Sequence, residues 1–337
     1  MNSLTSDIYT LTSPKNLIFE QQGIDVNTIG ANEVVGQTVY SAISPGTETA
    51  AYQGLPPLIT GKVYPRLVGY CNLAKVIAVG KAVVAYKAGD YIVSHQSHRS
   101  FFVMKDTDFA VKLTQAVPLN HAATAYLYHL GYHALITGDV RAGHNVGVIG
   151  LGTLGFTSCL MSRLAGATTV GFSNQKAPPH LIDKGVAVFT KHDLETEKLD
   201  RLTQNTGFDV IVNTSNSWAD WKLALELVRK GGTIVNLGFP GRGEPLPDFN
   251  PLEPRYVYLK NIQIKPLAYL STAEVNATDF RFNVQRNLRY ILDKMSTGEL
   301  NPGMLISEEI SYKYLGRQYD KYHDRLIPYT TVLNWQA

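Results

Sequence analysis

Asn145-Val146-Gly147-Val148-Ile149-Gly150-Leu151-Gly152-Thr153-Leu154-Gly155 is the stretch that decides the fold. Its apolar first half reads as a buried strand. The glycines Gly150, Gly152 and Gly155 that follow are spaced G-x-G-x-x-G. Gly150 makes a tight turn, Gly152 lets the backbone approach a pyrophosphate, and Gly155 lets a helix pack close to the strand. The N–H groups that open this helix at Thr153-Leu154, and the positive end of its dipole, suit a phosphate. The same glycines also fit an ordinary strand-to-helix turn, so the surroundings matter. Phe156–Ala165 continues as a helix and Ala167–Phe172 returns as a second apolar strand. That is a βαβ unit of the length a dinucleotide site needs.

Outward from this unit, strands and helices alternate from Asn145 to about Ile264. The expected strands are Val146–Ile149, Thr168–Phe172, Val186–Phe189, Val210–Asn213, Thr233–Leu237 and Ile262–Lys265, with helices such as Trp218–Val228 between them. This alternation predicts a doubly wound parallel sheet. Residues 1–125 are β-rich instead, with strands at Thr38–Ile43, Lys75–Ala78, Tyr91–Val93 and Phe101–Met104. Ser44–Glu48 followed by Thr49–Tyr52 reads as a helix start, with Ser44 as N-cap and Pro45 first in the helix. Ala122–Leu135 is helical, and Gly238–Pro254 is a glycine- and proline-rich loop. Helices are expected at Asp279–Met295 and Tyr314–Arg325, and a last strand at Thr331–Trp335. The tail returns to the composition of the β-rich part. Residues 1–125 and 270–337 are therefore expected to form one discontinuous domain around a dinucleotide-binding domain at 126–269.

Bulk properties exclude several classes. The 337 residues are 45% hydrophobic and 18% charged, as in a globular protein with room for two cores. A net charge of +3 without a basic cluster argues against a nucleic-acid partner. The two cysteines, Cys71 and Cys159, fit a reduced, cytoplasmic protein. MNSLTSDIYT lacks a charged segment followed by an apolar run, so no secretory signal is expected, and no stretch is long and apolar enough to span a membrane.

The order of parts resembles the medium-chain dehydrogenase/reductase superfamily. The resemblance covers nearly the whole chain. It is carried by Pro65-Arg66-Leu67-Val68-Gly69-Tyr70, Val79-Gly80, Tyr86–Val93, the glycine fingerprint and Arg229–Val235. It implies a GroES-like catalytic domain, a Rossmann domain, an active site in the cleft between them, a small-molecule substrate and a homo-oligomer, dimer or tetramer. Ile43–Glu48 and Gly69-Tyr70 are most similar to the branch containing bacteriochlorophyllide hydroxyethyl dehydrogenase. Zinc-dependent members carry a cysteine after the first long strand, a His-Glu pair after the Pro-x-x-x-Gly glycine, and a third ligand before the fingerprint. Here those places hold Ser44, Tyr70-Cys71 and about Ala125, and the loop of four structural cysteines is missing. Zinc needs thiolate, imidazole or carboxylate ligands, so a zinc-free member is expected.

NAD-binding units end their second strand in an acid that accepts from the ribose 2′-OH. Here Phe172 is followed by Ser173-Asn174-Gln175-Lys176. A hydroxyl, an amide and an ammonium welcome a 2′-phosphate that a carboxylate would repel, so NADP(H) is the expected cofactor. Asn213, Thr214 and Gly238 join the glycine loop, Thr153 and Leu154 as expected cofactor residues.

Without a metal, the substrate oxygen needs hydrogen-bond donors. Tyr70 and His95 are the leading proton donors, with Ser44 and Thr47 as relay; Glu48, Tyr126 and His129 are candidate pocket residues. Bland roles compete. Ser44 fits an N-cap, Glu48 a helix N-terminus, and His95 a surface histidine with His98 and Arg99 beside it. Asp90 fits a turn. The leading reading is an NADP(H)-dependent carbonyl reductase or alcohol dehydrogenase. An NADPH-dependent reductase of activated C=C bonds and a non-catalytic nucleotide-binding protein remain as rivals.

Overall fold

Six parallel strands form the sheet that carries the glycine loop. Across the sheet they run Ala187–Phe189, Thr168–Phe172, Asn145–Ile149, Phe208–Asn213, Val228–Asn236 and Gln263–Pro266. The chain order 3-2-1-4-5-6 is the doubly wound one, and it reverses between Asn145–Ile149 and Phe208–Asn213. These central strands read as continuous apolar runs because helices cover both faces. Val146, Val148, Ile149, Ile211 and Val212 are fully buried. Phe172, Phe208, Ile211, Trp221 and Ile234 share one core, with the Phe172 and Phe208 rings edge to face at 5.6 Å.

The computed structural model describes residues 3–56, 61–176, 178–267, 270, 272 and 281–337. Two units divide the chain: a central one, Leu127–Tyr269, holding this sheet, and a flanking one made of Met1–Tyr126 and Leu270–Ala337. No helix among the described residues is long and apolar enough to cross a membrane.

The flanking unit has a seven-stranded sheet ordered Ile306–Ser311, Thr330–Asn334, Glu33–Ala42, Cys71–Val79, Tyr91–Ser94 and Ala110–Lys112, with Phe101–Lys105 also pairing to Glu33–Ala42. The tail strand Thr330–Asn334 thus lies inside the sheet, between Ile306–Ser311 and Glu33–Ala42. A smaller sheet joins Asn16–Asp25, Ser3–Ser13 and Arg66–Leu67.

Several elements depart from expectation. The hairpin Ser3–Ser13/Asn16–Asp25 carries no apolar alternation, since most of its second strand is exposed. The helix expected over 122–135 is two, Leu119–Ala122 and Ala125–Thr137, parted where the Thr124 hydroxyl bonds the His121 carbonyl at 2.8 Å. The helix expected from Asp279 is Val284–Ser296, capped by the Asn283 side chain on Arg286 N–H; positions 279–280 lie outside the described residues. The last helix is Leu315–His323, entered through the 3₁₀ turn Tyr312–Tyr314. Cys71 and Cys159 are both buried and free.

Candidate nucleotide loop and active-site cluster

In the central unit each fingerprint glycine has a distinct cause. Gly150 has φ +88°, the left-handed region that glycine enters without penalty. A Cβ on Gly155 would sit 1.8 Å from the Gly150 carbonyl oxygen, so the helix Thr153–Leu164 starts hard against the turn. A Cβ on Gly152 would meet nothing within 4 Å. The loop is open at that point. The first N–H groups of the helix have no intrahelical acceptor, and the buried Thr153 hydroxyl has no hydrogen-bond partner among the described residues. An open glycine, an orphaned hydroxyl and a helix start fit a dinucleotide diphosphate. Leu154 supplies one of these first helical N–H groups; its carbonyl accepts from the Thr157 and Ser158 hydroxyls at 3.0 and 2.7 Å.

Asn213, Thr214 and Gly238, expected as cofactor residues, brace this loop. The Thr214 hydroxyl lies 3.0 Å from both the Ile149 and Gly150 carbonyls. Asn213 is fully buried, its amide bonded to Asn236 and to the Ser215 backbone. Gly238 N–H donates to the Asn213 carbonyl at 2.8 Å, and a Cβ there would lie 2.3 Å from the Ser215 oxygen.

Beyond Phe172, Ser173 Oγ accepts from Gln175 N–H at 3.0 Å. Asn174 bonds His192 Nε2 at 2.7 Å and accepts from Lys191 N–H at 3.2 Å. Lys176 is exposed and has no ion-pair partner among the described residues. The ammonium of Lys191 is taken by Asp220 at 2.8 Å.

The flanking unit gathers Tyr70, Ser44, Thr47, His95 and Tyr126. The Tyr70 hydroxyl donates to Ser44 Oγ at 2.5 Å and lies 3.5 Å from Thr47 Oγ1. Tyr126 stands edge-on to both Tyr70 (ring centroids 5.6 Å apart) and His95 (4.3 Å), and His95 lies over Phe109 at 4.1 Å. Burial pushes the Tyr70 phenol well above its ordinary pKa, with Cys71 and Glu48 adding to the rise and the Ser44 and Thr47 hydroxyls opposing it. Tyr70 therefore stays protonated at any working pH. Burial pulls His95 down to about 4, so its ring is neutral at pH 7.

Glu48, expected as a pocket residue, is 4% exposed, and both its oxygens are engaged. Oε1 accepts from Ser44 N–H at 2.7 Å; Oε2 accepts from the Tyr319 hydroxyl at 2.5 Å and from His98 Nε2 at 2.9 Å. His98 is a functional candidate that local sequence concealed. It is fully buried, not a surface companion of His95, and its Nδ1 meets Ser41 Oγ at 2.8 Å. Its partners lie far off in sequence, so only one cue was at hand, Gly69. That residue has φ +84°, and its Cβ would fall 2.6 Å from the His98 ring. His129 belongs to the central unit, buried and stacked on His133 at 5.7 Å. Asp90 is structural, pairing with Lys112 at 2.7 Å.

The donors at the zinc positions suit a metal poorly. Ser44 and Tyr70 offer neutral hydroxyls. Burial, then Glu48, raises the Cys71 thiol well above its usual range. Among the described residues no three His, Cys, Asp or Glu side chains gather as metal ligands.

Comparison with known proteins agrees with this architecture. The family model for zinc-binding dehydrogenases matches residues 153–282, a span that includes neither Ser44 nor Tyr70. L-threonine 3-dehydrogenase of Symbiobacterium thermophilum is 26% identical over 261 residues, 66% of this chain and 72% of the relative. NADP-dependent isopropanol dehydrogenase of Thermoanaerobacter brockii is 22% identical over 56% of this chain and 64% of its own. The structure of L-idonate 5-dehydrogenase from Escherichia coli superposes with a TM-score of 0.79 over 99% of each chain at 15% identity, a likeness of fold. The chain thus shares its fold with these dehydrogenases, and residues 153–282 match the zinc-binding dehydrogenase family model.

Proposed function

We propose that this protein is a zinc-independent, NADP(H)-dependent oxidoreductase that reduces a small carbonyl compound to the alcohol. The flanking unit would serve as substrate domain and the central unit as dinucleotide domain. The observation that carries the reading is the Tyr70 hydroxyl, held at 2.5 Å by Ser44 and walled by Tyr126 and His95. When bound, the dihydronicotinamide supplies a hydride to the carbonyl carbon. Charge then develops on the oxygen, and a preorganised donor stabilises it. Tyr70 turns its O–H to that oxygen and gives up the proton. The phenolate left behind accepts from the Ser44 and Thr47 hydroxyls. The open Gly152 and the orphaned Thr153 hydroxyl support nucleotide binding. The exposed Lys176, with no carboxylate in Ser173–Lys176, supports NADPH.

The test is NADPH oxidation with a panel of ketones, aldehydes, enones and quinones. Turnover with a ketone or aldehyde is expected, and Tyr70→Phe should lower kcat by a factor of about 10²–10⁴, the range for a lost general acid, with NADPH affinity intact. Turnover confined to enones or quinones would shift the assignment to C=C reduction. Nucleotide binding with no turnover at all would make it a non-catalytic binder.

A further inference from the structure

Ser44 occupies the N-cap of the helix Pro45–Gln53, yet its hydroxyl does not cap it. An N-cap serine ordinarily turns its oxygen onto the N–H of the second or third helical residue. Here that oxygen takes the Tyr70 hydroxyl instead. The helix start is held from the other side. Glu48, one residue beyond the N3 place of a capping box, reaches back and accepts the Ser44 N–H at 2.7 Å.

Glu48 is itself locked. Tyr319 and His98 both donate to Oε2, and all three residues are nearly or fully buried. Ser41 Oγ accepts from Trp335 Nε1 at 2.8 Å and faces His98 Nδ1 at 2.8 Å. With the imidazole proton on Nε2, toward the carboxylate, the Ser41 proton goes to Nδ1, and the polar atoms of Glu48, His98 and Ser41 are all paired. Desolvating a carboxylate costs several kcal/mol unless such partners are present. A glutamate needed only to hold a helix end would do so in water.

We propose that Glu48, locked by His98 and Tyr319, is a positioning residue for the Tyr70–Ser44 pair. It anchors the Ser44 backbone so that the serine hydroxyl is kept off the helix and on Tyr70. The proposal rests on Tyr70 being the proton donor.

The test uses the ketone or aldehyde of the panel that the unaltered enzyme reduces fastest. Glu48→Met fills a similar volume but accepts nothing. It should lower kcat at least about tenfold with KM for the carbonyl and for NADPH within about twofold, the pattern of a lost transition-state interaction. Glu48→Gln keeps an oxygen for Ser44 N–H and should recover to within about threefold of the unaltered rate. In that variant the amide donates toward His98, so ¹⁵N NMR should show the ring proton moved from Nε2 to Nδ1. The double variant Tyr70→Phe/Glu48→Met should be no slower than Tyr70→Phe alone, because both act through one hydroxyl. If Glu48→Met does not fold, Glu48→Asp, one methylene shorter, withdraws the acceptor while keeping the charge, and the same fall is expected. Full kcat in the folded Glu48 variant beside an impaired Tyr70→Phe overturns the positioning role and leaves the donor assignment standing. Effects that multiply in the double variant also overturn it. Full kcat in Tyr70→Phe removes the donor assignment and the proposal with it.

Discussion

Lys176 and Ser173 show how much specificity can sit in single side chains. Ser173 already closes a local turn by accepting from Gln175 N–H, a bond aspartate can also make. Ser173→Asp should therefore fold normally while placing a carboxylate where a 2′-phosphate would lie, and titration should show preference moving toward NADH. Lys176→Ala should weaken NADPH by roughly 1–2 kcal/mol, the range for a charge-assisted hydrogen bond at a wet site, with NADH hardly affected. Tighter NADH binding by the unaltered protein would sink both expectations. The fingerprint glycines divide in the same concrete way. Gly152→Val adds a side chain to open space, so calorimetry should find a normally folded protein that no longer binds nucleotide. Gly155→Ala drives a Cβ into the Gly150 carbonyl and should cost stability first, about 1–3 kcal/mol as for other overpacked positions.

Among the elements, the helix Ala125–Thr137 packs against Thr153–Leu164 by way of Gly131. A Cβ at Gly131 would lie 2.7 Å from Thr157 Oγ1 and 2.8 Å from backbone atoms of the neighbouring helix. Gly131→Val should destabilise the central unit by about 1–3 kcal/mol and lower the melting temperature, whereas a change on the exposed Lys222 should not; an unchanged melting temperature in Gly131→Val would refute this packing. The central strands were legible because parallel strands buried on both faces leave uninterrupted apolar runs such as Val146–Ile149 and Val210–Val212. The hairpin at the start was not, because Asn16–Asp25 is mostly wet and carries no apolar face. The site was legible to the same degree. Tyr70, Ser44 and Thr47 stand in one motif register and do come together. His98 and Tyr319 reach Glu48 across 50 and 271 residues of chain, and no local pattern encodes a partner that distant.

For the molecule as a whole, acid should act on both units. His95 in the flanking unit and His133 in the central unit are each pulled down to about 4 by burial. Each is neutral when folded and charges more readily when unfolded. Between about pH 6.5 and 4 the unfolded chain therefore binds more protons, and stability rises with pH. The contribution is complete above 6.5 and is lost as pH falls, with a slope of up to about 1.4 kcal/mol per pH unit for each ring. Denaturant midpoints measured across this window should fall toward acid, and should fall less in His95→Gln/His133→Gln. Equal slopes in the two proteins would show that carboxylates alone govern acid unfolding.

The place of Thr330–Asn334 inside the flanking sheet has a consequence for how the protein is made. Its Thr330 hydroxyl bonds the Ile43 carbonyl across 287 residues, and Trp335 reaches Ser41. On the ribosome, the end of the long strand Glu33–Ala42, at Tyr40–Ala42, must wait with its edge bare until Thr330–Asn334 emerges. The central unit, continuous in sequence, can close meanwhile. A nascent chain stopped just short of Thr330 would carry an unpaired strand edge, the template on which chains stick to one another. The burden of keeping that half of the molecule soluble during synthesis then falls on chaperones rather than on the fold.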